Sequence, residues 1–228
     1  MTHSNTPRLY RALISAAMVA AGSAFLPAAA ASQQPVAAAS PNDPGVIKAR
    51  ADSTRLPYTA ADIHFMSGMI SHHAQAIVMS RMAPTHGAND EVRRLAERII
   101  NAQTDEIKLM QQWLRDRRQP VPEAKPGPMK MMMNGMEHDM LMPGMLSDAQ
   151  MKELDAATGS DFDRLFLSYM IQHHRGATSM VKELFESYGA GQDEIVFKFA
   201  SDVNVDQTTE IGRMEKMLAG VVFGVRVP

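Results

Sequence analysis

Met69-Ile70-Ser71-His72-His73-Ala74-Gln75-Ala76-Ile77-Val78-Met79 returns about a hundred residues later as Met170-Ile171-Gln172-His173-His174-Arg175-Gly176-Ala177-Thr178-Ser179-Met180. On a helix each residue advances by about 100°, so Met69 and His73 share one face, as do Met170 and His174. His72 and His173 lie to the side, near Met79 and Met180. A second pair of phrases follows each copy: Gln103-Thr104-Asp105-Glu106-Ile107 with Met110, and Gln207-Thr208-Thr209-Glu210-Ile211 with Met214. Taking Ile99 as the centre of an apolar helix face puts Leu95, Gln103, Glu106 and Met110 within about 40° of it. Val203 gathers Phe199, Gln207, Glu210 and Met214 in the same way. The repeating unit is therefore a pair of helices, and each pair carries a glutamate in the middle of its apolar face.

The punctuation around these phrases sets the remaining elements. Thr59-Ala60-Ala61-Asp62 reads as a capping box opening the first helix, which Pro84 and Gly87 end near Met82. A second helix runs from near Asn89 to about Arg118, stopped by Pro120 and Pro122, with Trp113 and Leu114 on its buried side. Ser147-Asp148-Ala149-Gln150 opens a short helix that Gly159 closes; Ser160 caps the third long helix, which reaches about Ser187. Gly189 and Gly191 make a turn, and a fourth long helix spans Asp193 to Ala219. Four long helices in two similar hairpins, with no sustained strand pattern, predict an all-α fold: a ferritin-like antiparallel four-helix bundle with pseudo-twofold symmetry. The bundle domain occupies 58–220, a crossover at 122–146 joins its halves, and 221–228 form a tail.

Ahead of the bundle, Arg8 and Arg11 precede an uncharged run from Ala12 to Leu26, and Ala28-Ala29-Ala30-Ala31 supplies small residues for cleavage. That is the pattern of a secretory signal over 1–31. Its apolar run is shorter than the roughly 20 residues that span a bilayer. A soluble protein outside the cytoplasm, periplasmic or otherwise secreted and with no membrane span after cleavage, is expected. Cleavage removes two arginines and no acid, taking the formal charge from −2 to −4, which argues against a nucleic-acid partner. Residues 32–57, rich in Ala, Pro, Gln and Ser, read as a flexible leader. Cysteine is absent, so disulfides and a cysteine lipid anchor are excluded, and soft-metal chemistry falls to methionine and histidine.

The chemistry-bearing residues divide into three groups. Glu106, Glu210, His73 and His174 fall on core faces, where a carboxylate must be paired, hydrogen-bonded, neutralised or metal-bound. Either each glutamate bonds a histidine across the bundle, with Gln103 and Gln207 completing polar layers, or the quartet ligates a metal. His72 and His173 lie at the edge of the buried stripe, where partial solvent access is expected, with Met79 and Met180 at helical spacing on their side. Core methionines such as Met66, Met69, Met110, Met170, Met214 and Met217 need no metal to explain them.

The third group is different: Met129, Met131, Met132, Met133, Met136, Met140, Met142 and Met145 fall among Pro, Gly, Lys, Asn and Asp, with His138 in their midst and no core-facing period. Thioethers are soft ligands suited to Cu(I), and outside the cell they avoid the oxidation of thiols. The run reads as a flexible copper chelator lying apart from the packed bundle. Zinc would use the histidines and glutamates but leaves the methionines unexplained. A di-iron bundle needs Glu-x-x-His on two helices, and no glutamate here stands three residues before a histidine. Nucleophilic catalysis lacks both a cysteine and a serine-elbow motif.

The phrases Phe65-Met66-Ser67-Gly68-Met69-Ile70-Ser71-His72-His73-Ala74-Gln75-Ala76-Ile77, Gln103-Thr104-Asp105-Glu106-Ile107, Met142-Pro143-Gly144-Met145-Leu146 and Met170-Ile171-Gln172-His173-His174 resemble an exported bacterial family known as domain of unknown function 305, of the CopM copper-binding type. The resemblance covers Asp62 to Leu218. It implies a ferritin-like four-helix fold and, for the characterised type, periplasmic copper binding and resistance through Met and His. Helix three has Tyr169 and Arg175 where helix one has Gly68 and Ala74, so the two sites need not bind alike.

The expectation is thus a non-enzymatic, Met-rich periplasmic protein that binds Cu(I), buffers it or hands it on. Its candidate ligands are the His pairs, Met69, Met79, Met170, Met180, Met110, Met214, Glu106, Glu210 and the crossover methionines with His138. The partners it calls for are the metal ion and a copper exporter or another periplasmic copper protein; a homodimer is compatible with it. The alternatives are a structural or interaction bundle with buried His–Glu pairs and, behind that, a metal-dependent oxidase.

Overall fold

The computed structural model describes residues 57–133 and 136–224, together with Asp43, Pro44 and Val46. The expected signal segment at 1–31, nearly all of the leader and the end of the tail at 225–228 lie outside the described residues. The chain divides into two units, 1–48 and 49–228, and all the helices and strands named here belong to the second.

All the helices but one start where a side chain can satisfy their first N–H groups. Helix α1 (Ala60–Met82) opens on the expected capping box: Thr59 Oγ1 accepts from Asp62 N at 3.3 Å, and Thr59 N donates to Asp62 Oδ2 at 2.6 Å. Asn89 caps α2 (Asp90–Asp116) by accepting from Glu91 N and Val92 N. Ser147 and Gln150 form the second capping box, at the start of α3 (Asp148–Ala156). Asp193 caps α5 (Glu194–Phe223) by accepting from Ile195 N and Val196 N.

Two boundaries differ from expectation. Helix α4 (Gly159–Glu186) follows Thr158 without a side-chain cap, because Gly159 N donates to His86 O at 2.8 Å across the junction of the hairpins. Helix α5 continues past 221 to Phe223 and stops at Gly224, whose φ of 64° is left-handed. A single mid-helix glycine, Gly220, costs only about 1 kcal/mol and does not break the helix.

Helices α1 and α2 form one hairpin, α4 and α5 the other, and the hairpins meet along α1 and α4. The ends are tied reciprocally. Asp62, at the start of α1, accepts from Gly191 N in the α4–α5 turn at 2.7 Å; Asp163, at the start of α4, accepts from Asn89 N at 3.2 Å and Asn89 Nδ2 at 2.7 Å in the α1–α2 turn. The start of each central helix therefore abuts the turn that ends the other, so α1 and α4 run antiparallel. Burial pushes the Asp163 carboxyl up, against the opposing hydrogen bonds from Asn89. At one end Trp113 Nε1 donates to Asp193 Oδ1 at 3.1 Å, and Arg117 pairs with the same carboxylate while lying over the Trp113 ring.

The crossover is not structureless. Met129–Met133 (β1) and Met136–Met140 (β2) form an antiparallel hairpin in which Met129 faces Met140 and Met131 faces His138. The fold is therefore a helical bundle with one added β-hairpin, where an irregular crossover was expected. The strand pattern is hidden in the sequence because methionine has no strong β preference, and nearly every position of β1 is methionine.

The core falls into two clusters at opposite ends of α1 and α4. One gathers Met69, Met110 and Met180 with Phe65, Trp113 and Phe199; the other gathers Met170, Met214 and Met79 with Phe162, Phe166 and Leu95. The second trio is the pseudo-symmetric image of the first.

Candidate metal centre

The four paired histidines lie where these two clusters meet, and all four are fully buried. The antiparallel crossing of α1 and α4 brings His72 and His173 together, their ring centroids 3.8 Å apart with a 39° tilt. One residue on in each helix, His73 and His174 turn toward their own hairpin partners. His73 Nε2 lies 2.7 Å from Glu106 Oε2 on α2, out of line for a good hydrogen bond, and His174 Nε2 lies 2.8 Å from Glu210 Oε2 on α5.

Two expectations are corrected here. His72 and His173 are not partly accessible edge groups but lie in the centre of the molecule. Helix α1 is covered by α2, by α4 and, on its third side, by the segment after β2, which leaves residues 65–77 no solvent edge. Glu106 and Glu210, placed by periodicity in the middle of the core, instead have side chains 23% and 26% exposed. Each side chain lies at the rim of the core, in part open to solvent, while Glu106 Oε2 stays buried against His73. Asp206 stands by both glutamates: burial and then the charges of Glu106, Asp202 and Glu210 push its carboxyl up.

The segment covering α1 is Met142-Pro143-Gly144-Met145-Leu146. His72 Nε2 donates to Pro143 O at 3.0 Å. Gln75 holds both backbone groups of Leu146, accepting from its N–H at 2.6 Å and donating to its carbonyl at 2.9 Å. From the other hairpin Gln172 Nε2 donates to Gly144 O at 3.3 Å. The strap crosses α4 where there is no side chain: a Cβ on Gly176 would meet Pro143 O at 1.9 Å. Gly144, with φ of 77°, makes the turn that this close approach requires.

The strap thus carries Met142 and Met145 into the core cluster of Met69, Met110 and Met180. This corrects the picture of the whole methionine run as a loop apart from the bundle. Its members have three different settings. Met142 and Met145 are buried, Met129 is partly buried against the same cluster, and Met136, His138 and Met140 are exposed on β2. Met131, Met132 and Met133 belong to β1, but their side chains lie outside the described residues.

Burial favours the neutral, unprotonated form of His72 and His173. Burial, then the neighbouring His73, pushes His72 down to about 3, with the bond to Pro143 opposing. Burial, then His72, holds His173 well below the ordinary histidine range. Because a carbonyl can only accept, the proton of neutral His72 is on Nε2, and Nδ1 keeps a free lone pair. Nδ1 of all four histidines, and Nε2 of His173, are buried without a hydrogen-bond partner, as are Gln103 Oε1 and Gln207 Oε1. Buried polar atoms are normally satisfied, so this concentration of orphaned nitrogens needs an explanation, and an absent ion is one of those recognised. The chemistry of the donors, imidazole nitrogen bordered by thioether sulfur, fits a soft monovalent ion. Among the described residues no three of His, Asp and Glu converge on a metal-sized point.

Sequence reasoning missed Gln75, Gln172, Gly68, Gly144 and Gly176. The available signal was the break in the repeat: Gly176 stands where the first copy has Gln75, and Tyr169 where it has Gly68. Glycine in only one copy of a helical repeat marks a turn where a neighbouring segment comes closer than a side chain would allow.

The family described as Domain of unknown function (DUF305) matches residues 62–218. A DUF305 protein of Streptomyces coelicolor, described as secreted, is 32% identical over 71% of this chain and 92% of its own, with a TM-score of 0.59. A DUF305 fragment from Deinococcus radiodurans is 27% identical over 72% of this chain and 99% of its own, also with a TM-score of 0.59. CopM in its Cu(I)-bound form is 28% identical over 68% of this chain and 94% of its own, with a TM-score of 0.51. No curated protein matches the chain.

Proposed function

The chain belongs to the DUF305 family, and we propose that it is an exported protein that binds copper as Cu(I), buffers it in the periplasm and hands it to a copper exporter or another periplasmic copper protein. The observation behind this reading is the donor set: four buried imidazoles with orphaned nitrogens, bordered at each end by a trio of buried thioethers. Thioethers select soft ions, and neutral imidazole tolerates them. CopM, of similar fold, has been solved holding Cu(I), Cu(II) and Ag. Export is supported by the amino-terminal signal pattern and by the secreted relative. No helix among the described residues is long and apolar enough to cross a membrane.

The protein works by holding and releasing the ion and not by turnover. The His73–Glu106 and His174–Glu210 pairs favour a structural role for those four residues, since each nitrogen already faces a carboxylate at 2.7 and 2.8 Å. Copper then uses His72, His173 and the thioethers. Anaerobic titration of the mature protein with Cu(I) against a competing chelator, alongside Ag(I) and Zn(II), tests the reading. Tight binding of Cu(I) and Ag(I) with weak Zn(II) binding is expected; failure to compete for Cu(I), or preference for Zn(II), would overturn it.

A further inference from the structure

The two repeats are not equivalent around their histidines. In α1 the residue one turn before His72 is Gly68, and a Cβ built there would meet Met142 Sδ at 2.7 Å and Met129 Sδ at 2.9 Å. Being that close to one point, the two sulfurs are no more than 5.6 Å apart. They arrive from opposite sides of the β-hairpin: Met129 opens β1, and Met142 lies two residues beyond the end of β2. The hairpin therefore works as a clamp, and bare helix backbone at Gly68 makes room for both thioethers.

Met142 is tied to the histidine layer by its neighbour, because Pro143 O is the acceptor for His72 Nε2. That leaves His72 Nδ1, buried and unpartnered, one turn along the same helix face. A route for an ion exists as well: Met129 lines a cavity of 590 Å³, open to solvent, between Ser67 and Ser71 of α1 and the proline-rich chain before β1.

The second repeat has none of this. Tyr169 replaces the glycine, and its hydroxyl is engaged by Glu153 of α3. Among the described residues the hairpin and strap occur once, so no second thioether pair is delivered there.

We propose that Met129 and Met142, converging over Gly68 beside His72, form a single soft-cation site for Cu(I) or Ag(I) that is present in the first repeat and missing from the second. Two thioethers and one imidazole make a low-coordinate donor set of the kind soft ligands offer Cu(I). The solvent-open cavity reaches Met129, so an ion can enter at that donor. The proposal rests on the copper-binding reading above and assigns that reading to one side of the molecule.

The test is anaerobic Cu(I) competition and Ag(I) calorimetry on wild type, Met129→Leu/Met142→Leu, Gly68→Tyr and the control Met136→Leu/Met140→Leu, whose methionines are exposed on β2. X-ray absorption counts the sulfur neighbours of bound copper. The first double variant is expected to lose at least tenfold in affinity for one equivalent and to lose the sulfur neighbours, while the control keeps both. Gly68→Tyr, which copies the second repeat, should do the same; if it fails to fold, the leucine pair decides. Should wild type bind Cu(I) and the Met129→Leu/Met142→Leu protein match it in affinity, stoichiometry and sulfur count, the site is elsewhere, although copper binding itself survives. Wild type that binds neither Cu(I) nor Ag(I) overturns both.

Discussion

Replacing Gln75 by leucine removes the one side chain that holds both backbone groups of Leu146. Gln75 is 3% exposed, and its amide closes two buried bonds, 2.6 and 2.9 Å long, to the N–H and carbonyl of that residue. Leucine nearly conserves the volume, so the change isolates the hydrogen bonds. An unsatisfied buried donor or acceptor costs about 1 to 3 kcal/mol. Two such groups set an upper range of about 6 kcal/mol, and partial lifting of the strap to admit water brings the expectation to about 3 kcal/mol. At about 2 to 4 °C per kcal/mol for a chain of this size, Tm of the metal-free protein should fall by about 6 to 12 °C. Gln172→Leu is the comparison, since it loses one 3.3 Å bond to the strap and one 3.2 Å bond from Gln150 at a half-buried site where water can replace them, and should cost about 1 kcal/mol or less. Thermal and urea unfolding followed by circular dichroism at 222 nm give both numbers. A Gln75→Leu protein within about 0.5 kcal/mol of wild type, or a Gln172→Leu protein equally destabilised, would refute the claim that this bridge fastens the strap.

Gly176→Ala should destabilise by more than about 2 kcal/mol, because its Cβ would fall 1.9 Å from Pro143 O, whereas Gly212→Ala in α5, with nothing within 4 Å, should stabilise by about 0.5 to 1 kcal/mol; paired melting curves check this. Stability should fall with acid through the buried imidazoles of His72 and His173. His72 drops from an unfolded value of 6.5 to about 3, so the unfolded state binds the extra proton between those values. Its contribution is complete above pH 6.5 and decreases by about 1.4 kcal/mol per unit as pH falls toward 3. Urea titrations at pH 7, 6 and 5 should show this slope in wild type and a weaker one in His72→Gln/His173→Gln; equal slopes would contradict it. Glu106→Gln and Glu210→Gln should each cost about 1 to 2 kcal/mol, short of the 3 to 5 kcal/mol of breaking a fully buried pair, since both glutamate side chains are about a quarter exposed. A loss beyond 3 kcal/mol in a chemical unfolding curve would place them in the core after all.

What the sequence settled on its own was whatever depends on short-range periodicity and end chemistry. Thr59, Asn89, Ser147 and Asp193 each cap the helix they announced, because a cap acts over three residues and owes nothing to the rest of the chain. The repeated His-His and Gln-x-x-Glu phrases announced two like hairpins, and the structure pairs His73 with Glu106 and His174 with Glu210 accordingly. Only tertiary structure decided which side of α1 would be covered. A helix face counts as an edge until another segment lies on it, and that segment is the strap, 71 residues away for both the His72–Pro143 and the Gln75–Leu146 bonds. The same long-range contact divided the methionine run, drawing Met142 and Met145 into the core and leaving Met136 and Met140 outside. No local rule distinguishes these methionines, since thioethers are equally at home in a core and in a loop; the difference comes from Gly68 and Gly176, whose missing side chains let the strap approach two particular turns of helix.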